Sequence, residues 1–282
     1  MARRVGPSAR SRRLAQSLRK IRTENGASAA EVGKALGMSG SKLNRIETCE
    51  IGIYLDDLEK LLDFYQVAKL RRVELLDIAR HAEQRSWLRT RNAHFPADWQ
   101  TWSDFEDEAT ALRHYEPLGI PGLLQTPEYA RSIIRATSAL SDSEVDNLVS
   151  SRMSRRGLLS KARPVELHVI LEESVLLRPF GEDGCLARQI RHLVDEAGRT
   201  NVTMQVLPAD VGFHAGMAGA FIMLEYDDEP SLVWLEQLVS SLFLEEEEHI
   251  ALYTGAWGKL NSIALTPEES VERLRQLAVQ VA

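Results

Sequence analysis

Residues 28–47 read SAAEVGKALGMSGSKLNRIE, and this stretch decides the fold of the first part of the chain. Ser28 is a good helix N-cap and Glu31 follows three residues later, which is the pattern of a capping box, so a helix is expected to begin here. Gly37 predicts the end of that helix. Ser39 then offers a second N-cap. The stretch therefore predicts two short helices that meet across a turn.

The second of these helices has one apolar and one polar face. Leu43 and Ile46 are three residues apart, so they are expected to pack inward. Two short helices joined by about three or four residues that include a glycine are typical of the helix-turn-helix motif, whose second helix enters the major groove of DNA. The predicted DNA-reading face is the outward one, which carries Ser41, Lys42, Asn44 and Arg45.

Amphipathic helices are predicted on both sides of the motif. Residues 11–24 form a basic amphipathic helix that Asn25 and Gly26 end. Residues 55–65 carry leucines at helical spacing and form another. A fifth helix is expected to run without a break from Lys69 to Arg91. We expect this last helix to couple the two parts of the chain.

Residues 10–67 resemble the five-helix, repressor-like domain of the XRE family, whose recognition helix has the form S-x-S-K-L-x-R-I-E. The resemblance implies that Ser41 and Arg45 face base edges and that Glu47 forms a structural pair with Arg22. An arginine can bind guanine through two hydrogen bonds, which discriminates against a wrong base by roughly 1–3 kcal/mol. The residues predicted to contact DNA are Ser28, Ser39, Ser41, Lys42, Asn44 and Arg45, with Lys42 and Asn44 near phosphates.

Two positions depart from the family pattern. The family usually places Gln at the second position of its second helix, and here that position is Ala29. The turn after the recognition helix is normally Gly followed by basic residues, and here it is Cys49–Glu50, so a left-handed glycine and a phosphate contact are missing. We therefore expect modest DNA affinity or a dependence on dimerisation, and a head that binds only protein is the alternative.

Charge is distributed unevenly along the chain. Residues 1–92 hold 19 Lys and Arg against 11 Asp and Glu, a net charge of +8, whereas residues 93–282 hold 15 against 30, a net charge of −15. A basic first part is what phosphate binding requires. The densest basic run is either a DNA-binding arm or a solvated tail. It consists of Arg3, Arg4, Arg10, Arg12, Arg13, Arg19, Lys20 and Arg22.

Length and composition predict two domains, residues 1–92 and residues 93–282, in a chain of 282 residues with 44% hydrophobic content. No stretch approaches the roughly 18 apolar residues of a membrane span, and Arg3–Arg4 lack the apolar region of an export signal. We expect a cytoplasmic protein that associates with the nucleoid when bound to DNA. Cys49 and Cys185 have no CxxC partner or His cluster, so we expect free thiols, no metal and no cofactor.

The second part is predicted to be an α+β domain with a small sheet covered by helices, in a chain that is mostly α. The aromatic stripe of the first helix, which includes Trp102 and Phe105, is expected to lie in the core. Helices are predicted at 97–115, 127–137, 141–161, 185–197, 245–263 and 267–281, and strands at 166–171, 202–207, 220–226 and 232–238. The last two strands are expected to form a hairpin with an acidic turn at residues 227–230.

Three separated segments of the second part resemble the effector domain of the WhiJ-like regulators of actinomycetes. They are PGLLQTPEYAR (Pro121–Arg131), NVTMQVLPADVGFHAGMAGAF (Asn201–Phe221) and LTPEES (Leu265–Ser270). Together with the XRE-like head, the similarity covers nearly the whole chain. It implies a transcriptional regulator that is often encoded beside a small partner protein, with an antitoxin-like relation between the two.

Acid–base chemistry in the second part has few candidates, namely His168, Glu172, Glu173 and His214. No nucleophile elbow, P-loop, HExxH or dinucleotide-binding pattern is present, so we expect no enzyme. His214 lies in the loop Gly212–Gly216, and His214, Gly212 and Gly216 form either a hydrogen-bonded turn or part of a ligand or partner site.

These features predict a two-part switch. The basic head binds operator DNA, double-stranded, as a homodimer on a pseudo-palindrome whose half-sites lie about one helical turn apart. The acidic body dimerises, or it receives a ligand or partner protein that alters DNA binding. The alternative is an antitoxin-like protein that binds a small basic partner through its acidic surface, with DNA binding secondary.

Overall fold

The computed structural model describes residues 8–82, 86–90, 97–227, 229–237 and 240–281. The chain divides into two compact units, Met1–Trp87 and Leu88–Ala282. The described part of the first unit contains the five expected helices. They are α1 (Ala9–Glu24), α2 (Ala29–Leu36), α3 (Gly40–Glu47), α4 (Leu55–Phe64) and α5 (Lys69–Arg80).

Helix ends around the turn lie where the sequence predicts them. The Ser28 hydroxyl accepts a hydrogen bond from the Glu31 N–H, and the Glu31 carboxylate accepts one from the Ser28 N–H, which confirms the capping box. Gly37 ends α2 with a left-handed φ of 70°. The Ser39 hydroxyl accepts the N–H of Lys42 and so caps α3. Local side-chain chemistry therefore sets both ends of the turn.

The apolar faces of all five helices meet in one core. Leu43 and Ile46 are buried there, as the helical spacing predicts. The core also contains Leu14, Leu18, Val32, Leu58, Leu61, Leu62, Tyr65, Leu75, Leu76 and Ile78.

The fifth helix is shorter than predicted. It ends at Arg80, and Ser86–Thr90 form a strand, β1, so the continuous helix from Lys69 to Arg91 is wrong. The strand forms one edge of a sheet, next to a strand more than a hundred residues later in the chain. This pairing with a distant segment overrides the local helical pattern. The expected coupling of the two parts through this segment stays a prediction, but the segment is not one unbroken helix.

Three arginines of the basic run are buried, namely Arg10, Arg12 and Arg13. For these three residues, both predictions for the run, a DNA-binding arm and a solvated tail, are wrong. Arg13 Nη2 lies 2.6 Å from Glu74 Oε1, and Arg10 Nη1 donates to the carbonyl oxygen of His81 at 3.4 Å. These contacts belong to the packing of α1 on α5. The first two arginines of the run, Arg3 and Arg4, lie outside the described residues.

The second unit combines helices with a mixed sheet, as expected for an α+β domain. None of the helices in the described ranges has the length and apolar character needed to cross a membrane. The helices are α6 (Ala97–Glu108), α7 (Pro127–Thr137), α8 (Asp142–Ser154), α9 (Cys185–Glu196), α10 (Glu247–Ile263) and α11 (Pro267–Gln280). The strands are β2 (Ala111–Glu116), β3 (Glu166–Glu172), β4 (Val202–Leu207), β5 (Phe221–Glu225), β6 (Leu232–Glu236) and β7 (Ser240–Leu244).

The sheet has the strand order β1-β7-β6-β5-β2-β3-β4. Strands β2, β3 and β4 are parallel to one another, whereas β5 runs antiparallel to β2. The predicted hairpin is confirmed, because β5 and β6 pair in antiparallel fashion, and β7 continues the meander. The carboxyl ends of β2, β3 and β4 therefore meet at one edge of the sheet.

The sheet is larger than the four predicted strands. The predicted helix at 97–115 is wrong at its end, because α6 stops at Glu108 and β2 begins at Ala111. Strand β2 is held on both sides, by β3 and by β5, and Tyr115 on it is fully buried. The predicted helix at 141–161 also ends early, at Ser154, and a 3-10 helix covers Arg155–Leu159. Strands β1, β2 and β7 were not predicted.

The outer edge of β4 is covered by the segment LTPEES. The Val206 N–H donates to the Ser270 hydroxyl at 2.9 Å, and the Leu265 N–H donates to the Val206 carbonyl oxygen at 2.9 Å. Thr266 and Glu269 form the predicted capping box of α11. An exposed strand edge would otherwise offer unpaired backbone groups to other chains, so this segment closes one side of the sheet.

We expect Cys49→Gly to stabilise the first unit. Cys49 follows α3 with a left-handed φ of 57°, a conformation that costs a non-glycine residue roughly 1–2 kcal/mol. Glycine relieves that strain and adds an entropic cost of roughly 0.5–1 kcal/mol, so the net gain from these two effects is about 0–1.5 kcal/mol. Native-state hydrogen exchange of the α3 and α4 amides measures it.

The matched control is Thr48→Gly, because Thr48 has an ordinary φ of −95°. This change adds the entropic cost and removes the exposed hydrogen bond from the Thr48 hydroxyl to Glu50 without relieving any strain, so it should lower amide protection. Equal losses of protection in the two variants would contradict the strain at Cys49.

Candidate functional site

Helices α2 and α3 approach each other closely because both carry glycine at the contact. A Cβ on Gly33 would lie 2.6 Å from the Met38 carbonyl oxygen and 2.8 Å from the Gly40 nitrogen. A Cβ on Gly40 would lie 3.0 Å from the Cα of Ala30. Because backbone atoms fill both spaces, this contact fixes the angle at which α3 leaves α2.

An ion pair fixes the other end of α3. Arg22 Nε lies 2.8 Å from Glu47 Oε1, and Arg22 Nη2 donates to Glu47 Oε2 at 2.8 Å, so the pair is bidentate. The Glu47 side chain is only 3% exposed. Arg22 also donates to the Ala27 carbonyl oxygen, and its hydrogen bond to Glu47 raises its pKa above the ordinary value. The pair that the family resemblance implies is thus present, and it ties α3 to the end of α1.

The outer face of α3 presents polar side chains to solvent. Ser41, Asn44 and Arg45 are exposed, and the side chains of Ser41 and Asn44 make no hydrogen bond within the described residues. The hydroxyl groups of Ser28 and Ser39 serve as helix caps. Groups exposed in this way can contact base edges or phosphates without breaking the fold.

The cations on α3 have acidic partners. Lys42 Nζ lies 2.6 Å from Asp57 Oδ2, and Arg45 Nε lies 3.4 Å from Glu50 Oε2. Glu50 also accepts a hydrogen bond from the Thr48 hydroxyl at 3.1 Å. Surface pairs of this kind contribute only about 0–1 kcal/mol, so a phosphate or a guanine can displace them. The Nη1 and Nη2 atoms of Arg45 make no hydrogen bond with a residue that the structure describes.

The position that departs from the family pattern on α2 faces inward. Ala29 is buried and belongs to the core of the first unit. A side chain there has no route to a phosphate in this structure.

A second polar cluster lies at the carboxyl ends of the parallel strands. The Tyr115 hydroxyl, at the end of β2, donates to Glu172 Oε1, at the end of β3, at 2.7 Å. His214, in the loop after β4, brings Nε2 within 3.3 Å of the same oxygen. The Gly216 N–H donates to His214 Nδ1 at 3.2 Å, so hydrogen-bond chemistry assigns the proton to Nε2. The structure therefore joins three side chains from separate segments.

The loop that carries His214 is pressed onto Tyr115. A Cβ on Gly216 would lie 2.2 Å from Tyr115 Cζ, which leaves no room for a side chain. Burial, together with the hydrogen bond to Glu172 and nearby carboxylate charge, raises the pKa of Tyr115 well above its ordinary value. Tyr115 therefore acts as a neutral donor. Gly212 has a left-handed φ of 72° with open space around it, so it shapes the turn without contacting the cluster.

The other acid–base candidates make structural contacts. His168 Nε2 lies 2.6 Å from Gln205 Oε1, and burial lowers the pKa of His168. Glu173 accepts the Ala209 N–H and pairs with Arg273. Cys49 and Cys185 form no disulfide, and no group of three or more His, Cys, Asp or Glu in the described ranges is arranged to hold a metal ion.

Sequence reasoning missed Tyr115 because it placed this residue at the end of a helix. The sequence signal for this strand is weak. A strand is recognised by alternation along the chain, and burial along Ala111–Glu116 alternates only partly.

The segment PGLLQT is held by buried amide side chains. Gln125 donates to the Ile120 carbonyl oxygen at 2.6 Å. Gln189, on α9, accepts the Thr126 N–H at 2.7 Å and donates to the Leu124 carbonyl oxygen at 2.8 Å. Buried backbone groups need such partners. The motif PGLLQT therefore has a role in holding the fold together.

We expect Gly33→Ala to separate α2 from α3. The added methyl group meets backbone atoms that cannot move independently, and forced overpacking costs typically about 1–3 kcal/mol. Thermal unfolding and DNA affinity should both fall. Gly52→Ala is the matched control, because a Cβ on Gly52 meets nothing within 4 Å. Equal effects of the two substitutions would argue against the tight contact.

We expect Glu47→Gln to destabilise the first unit strongly. The change leaves the Arg22 guanidinium without its counter-charge, and breaking a buried pair costs about 3–5 kcal/mol. Native-state hydrogen exchange of the α1 and α3 amides measures the loss. The double variant Arg22→Met with Glu47→Leu should recover part of it, because it removes both charges together. A double variant no more stable than Glu47→Gln would count against the unpaired charge as the cause.

Comparison with known families agrees with this two-unit organisation. Residues 13–75 match a family model described as a helix-turn-helix domain, which confirms the predicted motif and suggests DNA binding. A search of curated proteins found no match. Residues 99–276 match a model described as a domain of unknown function, DUF5753. Since this second match covers more than half of the chain, the protein belongs to the DUF5753 family.

Proposed function

We propose that the protein is a sequence-specific DNA-binding transcriptional regulator. The observation that carries this proposal is the exposed polar face of α3, held at one end by Gly33 and Gly40 and at the other by the Arg22–Glu47 pair. A recognition helix reads sequence only if its side chains are positioned reproducibly against base edges.

Each polar residue of α3 has a proposed role. Arg45 and Ser41 contact base edges, with the free Nη atoms of Arg45 directed at guanine. Lys42 and Asn44 contact phosphates, and Lys42 exchanges Asp57 for a phosphate when DNA binds. The hydroxyl groups of Ser28 and Ser39 add phosphate contacts at the starts of α2 and α3. The protein binds its operator as a homodimer on a pseudo-palindrome.

The second unit acts as a receiver for a partner protein or ligand, and the whole chain is a WhiJ-like regulator with an XRE-type head. The motifs Pro121–Arg131, Asn201–Phe221 and Leu265–Ser270 support this assignment. The protein works on nucleoid DNA in the cytoplasm, by binding and not by catalysis. The engagement of His214 Nδ1 by the backbone of its own loop favours a binding role for this cluster.

The second candidate is an antitoxin-like protein whose main activity is to bind a small basic partner encoded nearby. The charge of −15 over residues 93–282 favours it. Capture of such a neighbouring gene product by the Arg45→Ala protein, with equal strength to wild type, would support partner binding that is independent of DNA reading.

We expect Arg45→Ala to relax specificity at one base pair. Loss of a bidentate guanine contact costs about 1–3 kcal/mol at that position, whereas Lys42→Ala should weaken all sequences alike and reduce the salt slope by about one. Fluorescence anisotropy with a labelled fragment of the upstream region, in a salt series and with single-base variants, measures both effects.

Lys60→Ala is the control, because Lys60 lies on α4 and pairs only loosely with Asp57, at 3.8 Å. Weak binding that ignores sequence and Arg45, and falls only with salt, would overturn the proposed DNA-reading function.

A further inference from the structure

Only one oxygen of the Glu172 carboxylate accepts a hydrogen bond from the described residues. Its Oε1 atom accepts a hydrogen bond from the Tyr115 hydroxyl and lies 3.3 Å from His214 Nε2. Its Oε2 atom accepts no hydrogen bond from the residues that the structure describes, although the side chain is only 14% exposed. The Tyr115 hydrogen bond thus orients the carboxylate beside His214 and leaves one oxygen for a further donor.

The missing donor is best supplied by a cation. An anionic oxygen without a protein partner is solvated only by the water that reaches it, and a charged donor can replace that water. The Tyr115 hydroxyl has one proton and donates it to the other oxygen. Charge-assisted hydrogen bonds from guanidinium or ammonium groups to carboxylates are the strongest of the common pairs. The chemistry of the site therefore favours an arginine or lysine side chain.

Exposed apolar side chains lie in the segments that follow β2, β3 and β4. Phe213 and Met217 flank His214 in its loop and are 94% and 63% exposed. Leu118 and Leu177, in the loops that follow β2 and β3, are also exposed. These loops all leave the same edge of the sheet, because β2, β3 and β4 are parallel. Exposed apolar residues gathered in this way mark protein interaction surfaces.

Three other charged groups at this edge, Glu116, Arg178 and Arg273, have partners of their own. Glu116 accepts the N–H groups of Leu118 and Gly119. Arg273 pairs with Glu173, and Arg178 donates to the Leu118 carbonyl oxygen. No cation of the described chain pairs with Glu172. With a net charge of −15 over residues 93–282, long-range attraction also favours a basic partner.

We propose that this edge of the sheet docks a basic protein partner, which places an arginine or lysine side chain on Glu172 Oε2 and apolar side chains on Phe213 and Met217. The proposal rests on the proposed role of the second unit as a receiver, and it names the residues and the chemistry. Nucleic acid is a poor occupant, because its phosphates would meet a carboxylate.

The test uses the full chain and the synthetic probe acetyl-Leu-Arg-Leu-amide, with acetyl-Leu-Gln-Leu-amide as its uncharged match. Binding is measured by NMR, following the amide of Gly216, which donates to His214. Glu172→Gln removes the charge and keeps an oxygen acceptor for Tyr115. Asp210→Asn is the matched control, since Asp210 is an exposed carboxylate in the same loop.

We expect the arginine probe to shift the Gly216 signal saturably in wild type and in Asp210→Asn. Glu172→Gln should bind this probe at least about ten-fold more weakly than wild type does, which is the loss expected for a hydrogen bond to a charged group. The glutamine probe should bind wild type as weakly as the arginine probe binds Glu172→Gln. Phe213→Ser should weaken the tripeptide but not L-argininamide, which lacks the apolar flanks.

Equal binding of the two tripeptides, or unchanged binding by Glu172→Gln with native spectra elsewhere, would overturn the proposal. L-Argininamide binding as tightly as the tripeptide would overturn the protein partner and indicate a small cation instead. Anisotropy with operator DNA on the same samples separates the two hypotheses. Probe binding without DNA binding would refute the regulator, and DNA binding without probe binding would refute this docking site.

Discussion

The close contact between α2 and α3 is the constraint on which the DNA-facing part of the structure depends. Gly33 and Gly40 leave no space for a side chain where the two helices meet. The buried Arg22–Glu47 pair then holds the far end of α3 against α1. Between these two points the inner face of α3 fills the core, and its outer face is free. Rigid support of a polar surface is what converts a short helix into a reader of base edges.

The motifs of the second unit are found where buried backbone groups need partners. Gln189 satisfies the loop that contains Leu124 and Thr126, and Ser270 covers the edge of β4. Buried backbone donors and acceptors are rarely left unpaired in folded proteins. These segments therefore secure the sheet and its loops, which lets the carboxyl ends of β2, β3 and β4 present Tyr115, Glu172 and His214 together.

The two polar surfaces have opposite chemistry. On α3, Lys42 and Arg45 are cations held by weak, solvent-exposed partners that a phosphate or base can replace. At the sheet edge, Glu172 is a carboxylate that accepts the buried Tyr115 hydroxyl and lies beside His214. In the proposed function, opposite charges on the two surfaces let one chain bind a polyanion and a polycation at different places. This separation supplies a physical basis for a switch with two binding surfaces.

The sequence by itself determined the features that depend on near neighbours. The capping box of Ser28 and Glu31, the left-handed Gly37 and the inward faces of the five helices all follow from residues one to four positions apart. The tertiary structure alone decided that residues 111–116 form a strand, because Ala111 pairs with Glu166 on one side and Glu225 on the other. It also decided the burial of Arg10 and Arg13 and the meeting of Tyr115 with Glu172. Such contacts join segments far apart in the chain, and sheet pairing and burial there outweigh the local pattern.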